Sequence, residues 1–275
     1  MSADRGPEAA PLYEVMRATL RADDPVALAT MTEGPHVGAK LVVRPGLPVV
    51  GSLGDPELDR VVARDALAEL EAGLTSTRHY GAHGEARAQE VAVFVESFAP
   101  APRLVIFGAV DFTAALAKAG KLLGFRVTVC DARAVFATPA RFPMADEVAN
   151  DWPDRYLEKV ADRLGPRDAV CVLTHDAKFD VPAIVAATAT RVGYIGAMGS
   201  RRTHATRTAR LREAGLGDAA LARVMAPIGI VIGARTPEET AIAICAEIIA
   251  HRAGVPVPSL RDGQGPIHHT APAAG

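Results

Sequence analysis

The sequence is poor in aromatic residues, with one Trp, four Tyr and eight Phe making up 5% of 275 positions. A surface built to stack nucleic-acid bases needs more rings than that. Charge of one sign is also missing. The 30 Lys and Arg against 32 Asp and Glu leave a formal net charge of −2. No global field therefore favours nucleic acid or an anionic membrane. No uncharged apolar run reaches the roughly 18 residues of a membrane span. The opening MSADRGPEAAP lacks the apolar stretch of a secretory signal. Neither nucleic acid nor membrane is an expected partner.

Cysteine is scarce. Cys130, Cys171 and Cys245 are odd in number, far apart and set among apolar residues. A structural disulfide is not expected, and a reducing cytoplasm is the expected compartment. None has metal-ligand spacing, so each reads as a small core residue. His79 and His83 are four apart, but Gly81 lies between them and no third ligand is evident. No metal site is expected. From Val255 onward the chain reads as a disordered tail, with His268 and His269 in it and no structural role for either.

What is present falls into two textures. Residues 1–98 hold short elements: a helix near Leu12–Arg21, an apolar stretch Val26–Met31, and strands at Lys40–Val43, Val49–Gly51 and Val91–Val95. Between them, Leu58–Ala72 carries apolar residues at helical spacing. This predicts a small α+β domain. The proline-bearing stretch Ser97–Pro102 is the expected boundary.

Residues 103–253 alternate. Apolar strands are expected at Leu104–Phe107, Val127–Cys130, Ala169–Leu173 and Val192–Ile195, with Pro227–Ile232 apolar and extended. Helices are expected at Thr113–Leu123, Asp154–Leu164, Val181–Ala189, His204–Ala214 and Pro237–Arg252. Fully apolar strands alternating with helices predict a Rossmann-like α/β domain, a parallel sheet covered on both faces. Such sheets bind ligands beyond the carboxyl ends of their strands.

Candidate site residues follow those ends. Gly108 opens the first strand-to-helix turn, Asp111 stands before the helix, and Asp131 ends the next strand. Of the three glycines of a dinucleotide fingerprint only Gly108 is present, since Val110 and Thr113 hold the other positions. The pair Gly108 and Asp131 reads either as a nucleotide site or as a tight turn and a loop cap. His175 and Asp176 follow the third strand, as cleft groups or as caps of the next helix. Gly199, Ser200, Arg201 and Arg202 suit an oxyanion, or form a solvated basic turn. Thr236, Pro237 and Glu239 make a capping box, and Gly233 before them suggests close packing at the cleft mouth.

With these residues in view, the chain resembles the XdhC/CoxI family, accessory proteins of molybdenum hydroxylases. The matching stretches are LVIFGA, LGFRVTVCDAR, FATPARFP, LTHDAKFD, YIGAMGSRRTHATRTARLREAGL and APIGIVIGARTPEETAIAICAEIIA. They run in order through the second segment. GAKLVV and VVGSLG are similar to the family's amino-terminal domain. The resemblance implies a non-catalytic protein that binds a molybdopterin-type cofactor. It also implies delivery to a hydroxylase such as xanthine dehydrogenase, a cysteine desulfurase as a second partner in some members, and a homodimer. Two other readings stay open: an NAD(P)-dependent oxidoreductase, and a Rossmann-fold partner-binding protein without ligand.

The sequence departs from the family pattern in several places. Leu53-Gly54-Asp55-Pro56-Glu57 stands where the family has Gly-Gly-Cys-x-Glu, and Ala86-Arg87-Ala88-Gln89 where a second cysteine is expected. Gly108-Ala109-Val110-Asp111 replaces Gly-Ala-Gly-His, and Gly229 to Ala234 replaces Gly-x-Asp-Ile-Gly-Ala. These changes bear on thiol ligation and on phosphate binding by the first turn. Asp111 is expected to cap the following helix itself. With Val110 adding bulk, the turn is expected to bind NAD, FAD or a molybdopterin dinucleotide weakly or not at all.

Overall fold

The computed structural model describes residues 9–86, 89–257 and 261. Arg87 and Ala88, within the stretch where the family has a second cysteine, lie outside them, as does nearly all of the expected tail with His268 and His269. The chain divides after Pro100 into two units.

In the first unit, helix α1 (Ala9–Arg21) leads into β1 (Val26–Glu33), β2 (Lys40–Val43) and β3 (Val50–Ser52). Helix α2 (Pro56–Ala72) then precedes β4 (Ser76–Tyr80) and β5 (Val91–Phe98). The five strands pair antiparallel in the order β3-β2-β1-β5-β4. Alternation along β1 sends Ala27, Ala29 and Met31 to one face, where they meet Leu58, Val62, Ala66 and Leu70 of α2. Helix α2 has defined ends. Asp55 caps its first turn by accepting from the N–H groups of Glu57 and Leu58, and Gly73 closes it in the left-handed region at φ +67°. β4 escapes sequence reading because Ser-Thr-Arg-His-Tyr has no apolar alternation; it is an edge strand whose three middle residues are exposed. β5 continues through Phe98, so the expected linker starts later than Ser97.

The second unit is an α/β domain. It holds β6 (Arg103–Phe107), α3 (Asp111–Leu122), β7 (Arg126–Cys130), β8 (Glu147–Ala149), α4 (Pro153–Val160), β9 (Ala169–Val172) and α5 (Ala177–Thr188). It continues with β10 (Tyr194–Ala197), α6 (Arg201–Glu213), α7 (Asp218–Ala222), β11 (Val224–Met225) and α8 (Pro237–Ala253). The order β11-β10-β9-β6-β7-β8, every pairing parallel, is the doubly wound Rossmann arrangement. Leu116 of α3 and Ile244 and Ile248 of α8 pack on one face; Leu157 of α4, Ile184 of α5 and Leu211 of α6 pack on the other. The strand order reverses between β6 and β9, which places the ligand crevice of this topology beside those two strands.

Several spans differ from the sequence reading: β10 runs Tyr194–Ala197 instead of Val192–Ile195, and α4 ends at Val160 instead of Leu164. Helix α5 starts at Ala177 because Asp176 caps it, with Pro182 tolerated inside. Helix α6 starts at Arg201, so both paired arginines lie in its first turn. The stretch from Pro227 to Ile232 is no strand but an irregular segment after β11, broken by Gly229 at φ +104°. Among the described residues, no helix is long and apolar enough to cross a membrane.

Helix α3 lies close on the sheet because Gly120 faces it. A Cβ there would come within 2.5 Å of Leu104 Cδ2 and 3.2 Å of Val127 Cγ2. Gly120→Leu is expected to overpack this contact and cost about 1–3 kcal/mol. Chemical denaturation should show a lower midpoint at unchanged slope.

Candidate functional site

The turns after β6, β7, β9 and β10 all lie at the carboxyl edge of the sheet. A buried ion pair seats two of them. Arg207 of α6 donates through Nη2 to Asp180 Oδ2 and to the Met198 carbonyl, both at 2.8 Å. The Thr174 hydroxyl donates to Asp180 Oδ1. Burial pushes the Asp180 carboxyl up, while Thr174 and Arg207 pull it down. The turn after β10 is thereby tied to the turn after β9.

Beside them lies a cavity of about 660 Å³, within the usual range for small-ligand sites. Its walls are apolar: Phe112, Met198, Pro227, Ile228 and Ile230, with Ala243 from α8. Val231 and Ile232, close to half exposed, add an apolar lip. The polar groups are His175, Ser200, Arg201, Arg202, Arg235 and Thr240. Ser200 caps α6, accepting from the Thr203 N–H at 3.1 Å. The first turn of that 13-residue helix favours anions, and Arg202 and Arg235 are exposed beside it.

Of the residues singled out from sequence, His175, Gly199, Ser200, Arg201, Arg202 and Gly233 border this cavity, whereas Gly108, Asp111, Asp131 and Asp176 do not. Asp176 is the α5 cap and pairs with Lys178 at 3.4 Å. Gly108 sits at φ +106°, and a Cβ there would lie 2.7 Å from Thr174 Cγ2, so close packing of two turns accounts for it. Asp111 does not cap α3. Val110 holds that position, and Asp111 is an exposed first-turn residue. The carboxylate that takes a turn N–H is Asp131, which accepts from Ala109 N at 2.7 Å and from Arg133 at N, Nε and Nη2. Sequence reasoning missed Arg235; the capping box it precedes drew attention to Thr236 and Glu239, whose Oε2 accepts from Arg235 N at 2.6 Å.

No thiol borders the cavity. All three cysteines are buried and free, with burial pushing Cys130 up to about 12 and Cys245 up to about 11. Among the described residues, no group of three or more His, Cys, Asp or Glu is placed to hold a metal ion. In the first unit His83 Nδ1 lies 2.8 Å from Asp55 Oδ2. His79 borders a separate cavity of about 240 Å³ with Asp65, Arg78 and Tyr80.

A doubly wound parallel sheet in one unit and an antiparallel sheet in the other define a Rossmann-domain protein with an appended α+β unit. The chain belongs to the XdhC and CoxI family. The model of the XdhC Rossmann domain matches residues 104–248, and that of the XdhC and CoxI family matches residues 19–81. A Bacillus subtilis (strain 168) protein, named as a probable xanthine dehydrogenase subunit, is 35% identical over 169 residues, 62% of this chain and 48% of the relative. The Escherichia coli (strain K12) protein YqeB is 28% identical over 243 residues, 84% of this chain and 44% of the relative. PaoD of the same organism, a molybdenum cofactor insertion chaperone, is 36% identical over 84 residues, 30% of this chain and 26% of the relative. The matches thus span half or less of the curated relatives. A crystal structure described as a xanthine dehydrogenase from Bacillus halodurans aligns at TM-score 0.49 and 22% identity, over 88% of this chain and 95% of that one.

Glu247 anchors the cavity wall. Its Oε2 accepts from Tyr194 Oη at 2.5 Å and from Gly229 N at 2.8 Å, both buried. Glu247→Ala is expected to cost about 3 kcal/mol by leaving two buried donors unpaired, with Glu247→Gln milder, in equilibrium unfolding. For Asp131, burial raises the pKa but Arg133 and the backbone N–H groups outweigh it, so the folded value is lowered. Its contribution is present above the unfolded value of about 3.9 and is lost as pH falls through the lower folded value. Asp131→Asn should flatten that part of the acid limb of the stability curve.

Proposed function

We propose that this chain is an accessory protein that holds a molybdopterin-type cofactor for a molybdenum hydroxylase of the xanthine dehydrogenase type, without turnover of its own. The observation that carries this is the cavity itself. An apolar wall suited to a flat ring meets a basic rim suited to a phosphate, in a family whose relatives include a cofactor insertion chaperone. When bound, the cofactor supplies the dithiolene-held molybdenum that the client uses.

The donor set fits one end of such a ligand. Arg202, Arg235 and the α6 terminus suit its phosphate, and Phe112, Met198 and Ile228 its ring. It offers no thiolate to the metal end, since no cysteine borders the cavity. Holding through the phosphate and ring leaves the reactive end without a thiolate ligand, which suits transfer. The apolar lip at Val231 and Ile232 is a surface that a client could cover.

Co-expression with a client hydroxylase is expected to raise the cofactor-loaded fraction of that enzyme, read by its molybdenum content. Arg202→Ala/Arg235→Ala should remove most of the increase while folding stability stays within about 0.5 kcal/mol, as for exposed side chains. Equal loading with and without the protein would overturn the reading.

A further inference from the structure

The carboxyl edge of the Rossmann sheet has two halves, and among the described residues the cavity of about 660 Å³ lies in the half beside β9 and β10. In this topology a dinucleotide lays its pyrophosphate on the turn after the first strand and its adenosine ribose against the acid that ends the second. Here those places are the turn from Gly108 and the residue Asp131.

The segment from Asp131 to Ala145 lies on that turn. Ala109 is buried under Phe142, itself 2% exposed, in a small cluster with Val129. The turn's backbone is held from both sides. Ala109 N donates to Asp131 Oδ2 at 2.7 Å, and Ala109 O accepts from Arg141 Nη1 at 3.3 Å. Val110 N points at the Thr113 hydroxyl, which donates to Gly108 O. Both Asp131 oxygens are used within the chain, Oδ1 by Arg133 N and Nε and Oδ2 by Ala109 N and Arg133 Nη2. The Arg133 guanidinium in turn lies over the Phe136 ring at 4.6 Å and the Phe179 ring at 6.0 Å. A flat cation of this chain thus lies against the rings beside Asp131.

We propose that residues 131–142 are a built-in plug of the nucleotide half, with Arg133 and Arg141 as specificity determinants. On the cofactor reading above, the plug limits the ligand to one that fits the open cavity beyond β9 and β10: a flat ring system with a single phosphate end. A dinucleotide is refused a seat for its second half. The plug differs from a degenerate glycine loop, because the closure is made by long-range contacts and can be released by substitution.

The test uses the full chain and ADP-ribose as probe, so it does not depend on any client or on cofactor loading. Calorimetry should find no binding of ADP-ribose to the wild type at millimolar concentration. Arg133→Ser/Arg141→Ser removes the guanidinium contacts to the Asp131 carboxylate and to Ala109 O, and is expected to gain affinity by at least about tenfold, a shift of about 1.4 kcal/mol. Low-micromolar binding to the wild type, or no gain in a double variant with native circular dichroism, overturns the proposal. If the double variant does not fold, hydrogen exchange on the wild type decides. The Ala109 amide should exchange at least about a hundredfold more slowly than those of Asp111 and Phe112 in the open first turn of α3. Equal rates overturn the plug. Failure of hydroxylase loading with a silent ADP-ribose titration would sink the cofactor reading and leave the plug standing.

Discussion

The Asp180–Arg207 pair is the interaction on which the open half of the carboxyl edge depends. Both side chains are buried, and removing two charges from water is costly unless they answer one another and gain further hydrogen bonds. Asp180 is answered by Arg207 and Thr174; Arg207 is answered by Asp180 and the Met198 carbonyl, with Nη1 left buried and unpaired. A hydrophobic pair could fill that volume, but it could not hold a carbonyl and a hydroxyl at once. The ion pair therefore fixes the turn after β10 against the turn after β9. Thr174 then meets Gly108, so the turn after β6 is seated on the same support. Three loops share one anchor.

The two halves of the edge put their polar groups to opposite uses. On the side of β6 and β7, the backbone N–H, the carboxylate and the aromatic rings are occupied within the chain by Asp131, Arg133, Arg141 and Phe142. On the side of β9 and β10, the chain leaves a helix terminus and exposed guanidinium groups facing a cavity with apolar walls. The cavity wall is stiffened from behind by Glu247, which holds Gly229 to α8 through a carboxylate shared with Tyr194. A rigid wall and an exposed arginine rim suit a ligand that must be recognised and then released, as the proposed accessory role requires.

Local sequence determined the elements whose signal is repeated along the chain. The apolar strands β6, β7 and β9 and the helices α2 and α8 are legible because each residue agrees with its neighbours on one period, and because Asp55, Gly73 and the Thr236–Glu239 box mark ends by short-range hydrogen bonds. The Rossmann class follows from their alternation, and the family from its ordered motifs. The edge strands β4 and β8 are not legible, since Ser-Thr-Arg-His-Tyr and Glu-Val-Ala gain their strand geometry from β5 and β7, not from their own pattern. The extended reading of Pro227–Ile232 fails for the converse reason: an apolar run has the pattern of a strand, and its side chains serve as cavity wall instead.

The site divides along the same line. That His175, Gly199, Ser200, Arg201 and Arg202 follow strands is written in the sequence, because strand ends place what comes next. That they meet Arg235, 33 residues beyond Arg202, was decided only when α8 and the preceding segment packed against α3 and β10. The choice between Asp111 and Asp131 shows the reason most directly. Sequence adjacency puts Asp111 beside the helix it is expected to cap, yet the helix begins one residue earlier than that role needs and leaves it exposed. The carboxylate that holds the turn arrives from 22 residues away, across a parallel β6–β7 pairing. Periodicity is local and can be read from the chain, whereas the partner of a buried polar group is set by register between strands.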